Sequence, residues 1–355
     1  MRVLICPDRM GPLSSASAGR ALAVGWPGAE TMAIGEAGFG LVEATADGWG
    51  VSLQTGVLDG ALVEWAVTDD QAVLGLRGPS GPSAADSPIP YEATSLPLGR
   101  ALATVLAEHR PRRLLVDLAG LDCHDGGAGL LAGLGASAAG AELTGGVAGL
   151  TGIDEIDLAP ARTLLASTEL IGVVPSQQRE ALLLGLRGIT SRRGHAVRED
   201  AARLLATDAA LQRLTGLVAP EAATAPGAGA CGGLGWAVLA LGGRLTTGPE
   251  LALAEVPRAG DRRPYDLVVT GCGLFDFATR GGGVVAAAAE LAAELLAPCI
   301  VVAGEVLIGS REMRTMGIEA AYPIRESHLD RPAGGDLQEA ELVQTVTRIS
   351  RTWRW

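Results

Sequence analysis

Between an apolar run at 114–118 and an apolar stretch that begins at Leu130, the chain carries Asp125-Gly126-Gly127-Ala128-Gly129. A buried strand that breaks on a carboxylate and paired glycines, then resumes as a helix, is a βα unit. Where such units alternate, the strands run parallel and helices cover the faces of the sheet. The same punctuation recurs twice. Residues 2–6 form a short apolar run closed by Pro7-Asp8, and 265–270 runs into Gly271-Cys272-Gly273-Leu274-Phe275-Asp276. Each turn would place a carboxylate at the carboxyl edge of a parallel sheet, where such sheets bind ligands. The same residues also serve as plain tight turns and helix caps.

The rest of the chain alternates in the same way. Apolar spacing predicts helices near 14–25, 98–109, 180–186, 199–217, 234–241 and 339–351, and an Ala-rich helix from Val284. Residues 164–174 read as helix then strand. Strands are expected at 31–34 and 298–303. Residues 45–76 alternate weakly and predict strands with turns at Asp47-Gly48 and Asp59-Gly60, followed by a Pro/Ser/Gly loop over 79–90. The class is α/β with largely parallel sheets. At 355 residues the chain exceeds one ordinary core, so two domains are expected. The expected division is 1–44 plus 264–355 as a discontinuous domain, 45–263 as an inserted domain, and a cleft between them.

Composition narrows the chemistry. A net charge of −12 opposes nucleic-acid binding, which needs basic patches, but is compatible with a nucleotide held by backbone N–H groups. All 28 basic residues are arginine, so no lysine can act as Schiff base, general base or phosphate clamp, and oxyanions fall to the arginine fork. A Walker A loop is excluded, because it requires lysine. Five cysteines with no C-x-x-C argue against disulfides or structural zinc and suggest a cytoplasmic protein. The longest apolar run, 284–304, is interrupted by Glu290, Glu294 and Pro298, which predicts helix then strand and no membrane span.

Gly227-Ala228-Gly229-Ala230-Cys231-Gly232 fits G-x-G-x-x-G, but the preceding 222–226 is not an apolar strand. A glycine-rich helix start that packs closely or touches phosphate therefore suits it better than a dinucleotide fold. Among four histidines, His124 alone adjoins a candidate carboxylate. It reads either as a proton carrier or substrate contact, or as a loop histidine without special role.

Taken together, these segments resemble the type I glycerate kinases. Residues 2–26, with Pro7-Asp8 and a Leu13-Ser14 helix start, look like the family's P-D-S-F-K-G-S-L-S. AGLDCHDGGAGLL (119–131) is similar to G-G-S-A-T-N-D-G-G-A-G-M-L, and GGVAGLTGIDEIDL (145–158) resembles a family segment with paired glycines and I-D-L. PGAGACGGLGWAVLA (226–240) is very like P-G-A-G-A-A-G-G-L-G, and YDLVVTGCGLFD (265–276) looks like A-D-L-V-I-T-G-E-G-R-L-D.

The resemblance implies two α/β domains, a Rossmann-like discontinuous one and an inserted one, with ATP and Mg²⁺ used to phosphorylate D-glycerate or a related small hydroxy acid. It implies catalytic roles for Asp8, Asp125 and Asp276, with Asp125 and Asp276 on the metal. Arg9, Arg280, His124 and Glu36 would meet the substrate, and Gly126, Gly127, Gly227, Gly229, Gly271 and Gly273 the nucleotide. Partners would be the hydroxy acid and the nucleotide, with no nucleic acid and no membrane, and the resemblance is compatible with a homo-oligomer.

The departures fall on polar positions. The opening lysine is replaced by Met10 or Gly11, and Leu121-Asp122-Cys123-His124 stands for Ser-Ala-Thr-Asn. Glu36 can stand for an aspartate of A-D-G-G-E-G, whereas Phe39 falls where that motif has Glu. Cys272 replaces Glu, Leu274 replaces Arg, and a later lysine is a glycine within Arg280-Gly281-Gly282. The alternative reading is therefore an inactive homologue that works as a ligand sensor or partner-binding protein.

Overall fold

The computed structural model describes residues 1–58, 60–78, 87–257, 264–325 and 336–353. The chain starts with β1 (Val3–Ile5), α1 (Ser15–Ala23), β2 (Glu30–Thr31) and α2 (Leu41–Trp49). The middle stretch carries β3 (Gln54–Leu58), β4 (Ala61–Val67), β5 (Gln71–Leu76), α3 (Leu96–His109), β6 (Arg113–Asp117), α4 (Ala128–Gly133), β7 (Ser137–Ala139) and β8 (Glu155–Asp157). It continues with α5 (Ala159–Leu164), β9 (Glu169–Val173), α6 (Ile189–Val197), α7 (Ala201–Val218), α8 (Ala230–Ala240) and β10 (Arg244–Thr246). The last stretch holds α9 (Gly248–Leu253), β11 (Leu267–Asp276), α10 (Gly282–Glu294), β12 (Cys299–Leu307), α11 (Ser310–Thr315), β13 (Ile318–Pro323) and α12 (Glu339–Ile349).

Two compact units result. The terminal unit joins Met1–Gly50 to Gly248–Trp355, and the middle unit is the continuous Val51–Thr247. In the terminal unit five parallel strands run in the order β13-β12-β11-β1-β2. The order reverses between β1 and β11. After β1 the chain moves to β2 on one side, and later returns to β11 on the other and continues outward. That is the topological switch point at which open α/β sheets form their crevice. Val3, Leu4, Ile5 and 267–269 are almost wholly buried, as a central parallel pair covered on both faces requires.

In the middle unit the order is β10-β9-β6-β5-β4-β3. The parallel strands β5, β6, β9 and β10 follow one another in a single direction, so this sheet has no switch point. β3 and β4 form an antiparallel hairpin joining Leu58 to Ala61. At its turn Gly60 has φ 80°, while Asp59 lies outside the described residues.

Several expectations are corrected. Residues 45–49 are helical, because α2 buries Leu41, Val42, Ala44 and Ala46 on one face and ends on the left-handed Gly50, so Asp47-Gly48 is not a turn. The expected helix at 180–186 is absent; that stretch is irregular and held by bonds such as Gly229 N to Ala181 O. β2 stops at Thr31, short of the expected 31–34. Residues 164–174 do run helix then strand, with α5 ending at Leu164 and β9 covering Glu169–Val173. The stretch 271–276 is not a turn. β11 continues to Asp276, pairing Leu274, Phe275 and Asp276 with Glu305, Val306 and Leu307. Of the loop expected at 79–90, residues 79–86 lie outside the described residues. Among the described residues no helix is long and apolar enough to cross a membrane. All five cysteines are free and buried.

Candidate functional site

The switch point of the terminal unit is built by the loop after β1. Asp8 N donates to Gly271 O at 2.8 Å, which lays the loop along β11. Glycine is required there: a Cβ at Gly271 would come within 2.9 Å of Met10 Sδ and 2.8 Å of Val302 O. Gly273, whose Cβ position lies 3.7 Å from Gly11 N, faces the same loop. Gly271 thus seats the Asp8 loop, while a side chain at Gly273 would touch it only at ordinary contact distance.

A residue missing from the sequence expectations fixes the arrangement. Ser15, buried in the first turn of α1, donates through Oγ to Pro7 O at 2.6 Å and accepts from Ile34 N at 2.8 Å. It thereby ties the loop that carries Asp8 to the segment that carries Glu36. That segment is itself tight. Phe39 N donates to Glu36 O, and a Cβ at Gly35 would come within 2.4 Å of Gly40 O. Ser14-Ser15 at a predicted helix start was the only sequence signal, and it reads as capping.

Asp8 is half-buried and accepts from Arg9 N through Oδ1 at 2.7 Å. Burial, with the Glu36 carboxylate adding to it, pushes its pKa up to about 7, against the opposing Arg9 N–H and charge. Glu36 is 8% exposed. Cys272 is buried beside them, and burial together with Asp8 and Asp276 holds its thiol well above the usual range, so it stays protonated. Arg9 is exposed, with Nε donating to Gly11 O at 3.1 Å. The start of α10 opens on the same place: a Cβ at Gly282, whose φ is 86°, would lie 3.8 Å from Asp8 Oδ2.

Asp276 heads the turn into α10. Its Oδ1 accepts from Thr279 N and Thr279 Oγ1, both at 2.7 Å, and those bonds hold its carboxyl below the usual range. Arg280, at φ 52°, sets its guanidinium 5.9 Å from the centre of the exposed Phe277 ring.

The remaining expected residues belong to the middle unit, and there they hold the fold together. Asp125 has no exposed surface. Its Oδ2 accepts from Ser95 N at 2.7 Å, Ser95 Oγ at 2.8 Å and Gly129 N at 3.1 Å, and its Oδ1 from Gly127 N at 2.9 Å. Ser95 Oγ in turn accepts from Leu130 N at 2.8 Å. The glycine turn is an anion site already filled by its own carboxylate. Burial raises the Asp125 pKa, and these four bonds oppose the rise.

Gly126 and Gly127 take left-handed φ of 64° and 78°, and a Cβ at Gly127 would meet Ala237 Cβ at 2.4 Å. The glycines after Pro226 pack just as closely. A Cβ at Gly229 would come within 2.2 Å of Leu182 O, and one at Gly227 within 3.0 Å of Arg179 O. Cys231, Gly232 and Gly233 are consecutive left-handed residues that press α8 onto Cys123 O and Gly126. His124 is 1% exposed and bonded through Nε2 to Thr190 Oγ1 at 2.9 Å. Burial, and then the charge of Arg193, lowers its pKa to about 3, so at neutral pH it is an uncharged core histidine.

The carboxylates do not fit a protein-built magnesium cage. Both oxygens of Asp125 are engaged by N–H and O–H donors, Oδ1 of Asp276 is turned into its own loop, and no group of three or more His, Cys, Asp or Glu among the described residues could hold a metal.

Comparison with known proteins gives a consistent result. The family model described as the glycerate kinase family matches residues 3–354. An uncharacterised protein of Mycobacterium tuberculosis (strain CDC 1551 / Oshkosh) is 30% identical over 351 residues, covering 92% of this chain and 84% of the relative. A glycerate kinase of Bacillus subtilis (strain 168) is 26% identical, covering 91% and 90%, and a glycerate 2-kinase of Escherichia coli (strain K12) is 25% identical, covering 92% and 91%. The crystal structure of a candidate glycerate kinase 2 from Salmonella typhimurium LT2 shares the fold, with a TM-score of 0.77 at 22% identity over 99% of this chain and 98% of that one.

Proposed function

The chain belongs to the glycerate kinase family, and from that premise we propose that it is an ATP-dependent phosphotransferase acting on D-glycerate or a closely related small hydroxy acid. The observation that carries the reading is the switch point of the terminal sheet, where Asp8, Glu36 and Arg9 gather beside the start of α10. Phosphoryl transfer asks the protein for positioning and electrostatic stabilisation rather than covalent chemistry. The free end of the Arg9 guanidinium suits the acceptor's carboxylate, which the arginine fork binds bidentately. Arg280, at the rim of the same turn, suits phosphate oxygens. A magnesium ion would arrive on the nucleotide's phosphates, as that metal usually does, and no step here is assigned to it.

Relative to the family pattern, Cys272 and Leu274 replace charged groups, and one missing donor of transition-state charge typically costs about 3 kcal/mol. A slow enzyme is expected. The test is purified protein with ATP, Mg²⁺ and D-glycerate, followed by ADP release. Acceptor-dependent ADP formation supports the reading, and its absence with glycerate and related hydroxy acids overturns it. The second reading, a sensor or partner-binding protein without turnover, is favoured by the buried, fully bonded state of Asp125 and His124. Calorimetry separates the two: saturable binding of ATP or glycerate with no ADP formed supports the second.

A further inference from the structure

We propose that Asp8 is the proton acceptor for the substrate's hydroxyl and that Glu36, tied to the Asp8 loop through Ser15, is its positioning partner. The inference rests on the phosphotransferase reading and assigns the acid–base work within it. Geometry selects Asp8 among the expected groups. Asp125 is sealed and accepts four hydrogen bonds, His124 is sealed against Thr190, and Asp276 is folded onto Thr279. Asp8 sits half-buried in the loop after β1, at the sheet's switch point, whereas the equally half-buried Asp276 ends β11 with Oδ1 committed to Thr279. Its Oδ1 is held by Arg9 N, while Oδ2 faces the start of α10.

Its surroundings are built rather than incidental. The groups that face it are Arg9 from its own loop, Glu36 from the segment after β2 and the protonated Cys272 from β11. At the facing end of α10, Gly282 lies nearest, its Cβ position 3.8 Å from Asp8 Oδ2. Ser15 bonds both the Pro7 carbonyl and the Ile34 N–H, so the two carboxylates are held at a set spacing. Two carboxyl groups with different surroundings are the usual way to keep one of them basic near neutral pH. Burial and Glu36 act in that direction on Asp8, which titrates near 7, where a general base works best.

The step balances simply. The hydroxyl proton passes to Asp8 Oδ2. The hydroxyl oxygen bonds to the terminal phosphorus of the nucleoside triphosphate, and the bond from that phosphorus to its bridging oxygen breaks. The nucleoside diphosphate leaves with the electron pair.

The full-length chain tests this through the pH dependence of kcat/KM. The wild type should rise through an inflection near pH 7. Glu36→Gln removes a like charge and should move that inflection to lower pH. Asp8→Asn should abolish the inflection and lower kcat by about 10²- to 10⁴-fold with little change in the acceptor KM. Activity of Asp8→Asn within threefold (about 3) of wild type, or an unmoved inflection in Glu36→Gln, overturns the proposal. A carbon-13 NMR titration of the Asp8 carboxyl in the wild type needs no variant to fold, and an inflection near the ordinary carboxylate value also overturns it. If the wild type itself forms no ADP with any hydroxy acid, the phosphotransferase reading is what fails.

Discussion

At Asp125 a wholly buried carboxylate serves three backbone N–H groups and one hydroxyl, so what depends on it is the junction of α3 and α4. Asp125→Ala leaves those donors buried without a partner and should destabilise the protein by about 3–5 kcal/mol, read as a lower urea midpoint. Loss of activity in that variant would report the fold, not the chemistry. His124 makes a pH prediction. Its folded pKa is depressed from 6.5 to about 3, so its contribution to stability is present above about 6.5 and lost as pH falls toward 3. His124→Gln should lessen the fall in thermal midpoint between pH 6.5 and pH 4.

Asp8 has the opposite sign. Its folded pKa is raised from 3.8 to about 7, so its contribution is present below about 3.8 and lost as pH rises through 7. Asp8→Asn should therefore raise the thermal midpoint at pH 8 while impairing turnover, a pairing characteristic of residues kept for function. The aspartates were legible in the sequence as markers, but their partners were not. Asp125 is held by Ser95, thirty positions away, and Ser15 does its work through two backbone groups that carry no sequence identity.

Among the elements, glycines separate two kinds of constraint. Gly50 ends α2 at φ 69° with nothing within 4 Å of its Cβ position, so Gly50→Ala should cost only the backbone strain, about 1 kcal/mol. Gly99 lies where α3 crosses α4, and its Cβ would sit 2.3 Å from Leu130 O. Gly99→Ala must push the helices apart and should cost more, about 2–3 kcal/mol, with differential scanning calorimetry able to rank the two. From sequence the two glycines look alike.

The long periodic helices α3, α7 and α12 were legible because they are amphipathic or capped. Over 45–49 the helical period is weak, since nine residues with Gly and Asp near the end give few apolar repeats, and the burial of Leu41, Val42, Ala44 and Ala46 decides the matter. β11 was cut short at Gly271, since glycine reads as a break. Pairing with β12 overrides that reading, and Gly271 admits the Asp8 loop.

On the scale of the whole molecule, the α/β class and the family were legible because βα punctuation and ordered glycine motifs span most of the chain. Which sheet reverses its order was not, because strand neighbours depend on contacts between distant segments. The middle unit is one continuous stretch with its own large core around Leu74, Leu114, Val116 and Trp236. Expressed alone, 51–247 should unfold in a single cooperative urea transition, and a broad, non-cooperative one would refute that independence.

The terminal sheet sets a different requirement, one of time. β1 has its hydrogen-bonded neighbour β11 on the far side of the entire middle unit. On a ribosome adding about 5–20 residues per second, the strand Val3–Ile5 waits roughly 15–50 s for that partner, with only β2 along its other edge. Asp8 gains its place beside Gly271 only after that wait. The nascent chain thus completes its middle before its beginning, and holding factors that bind short apolar segments should engage its first residues until β11 emerges.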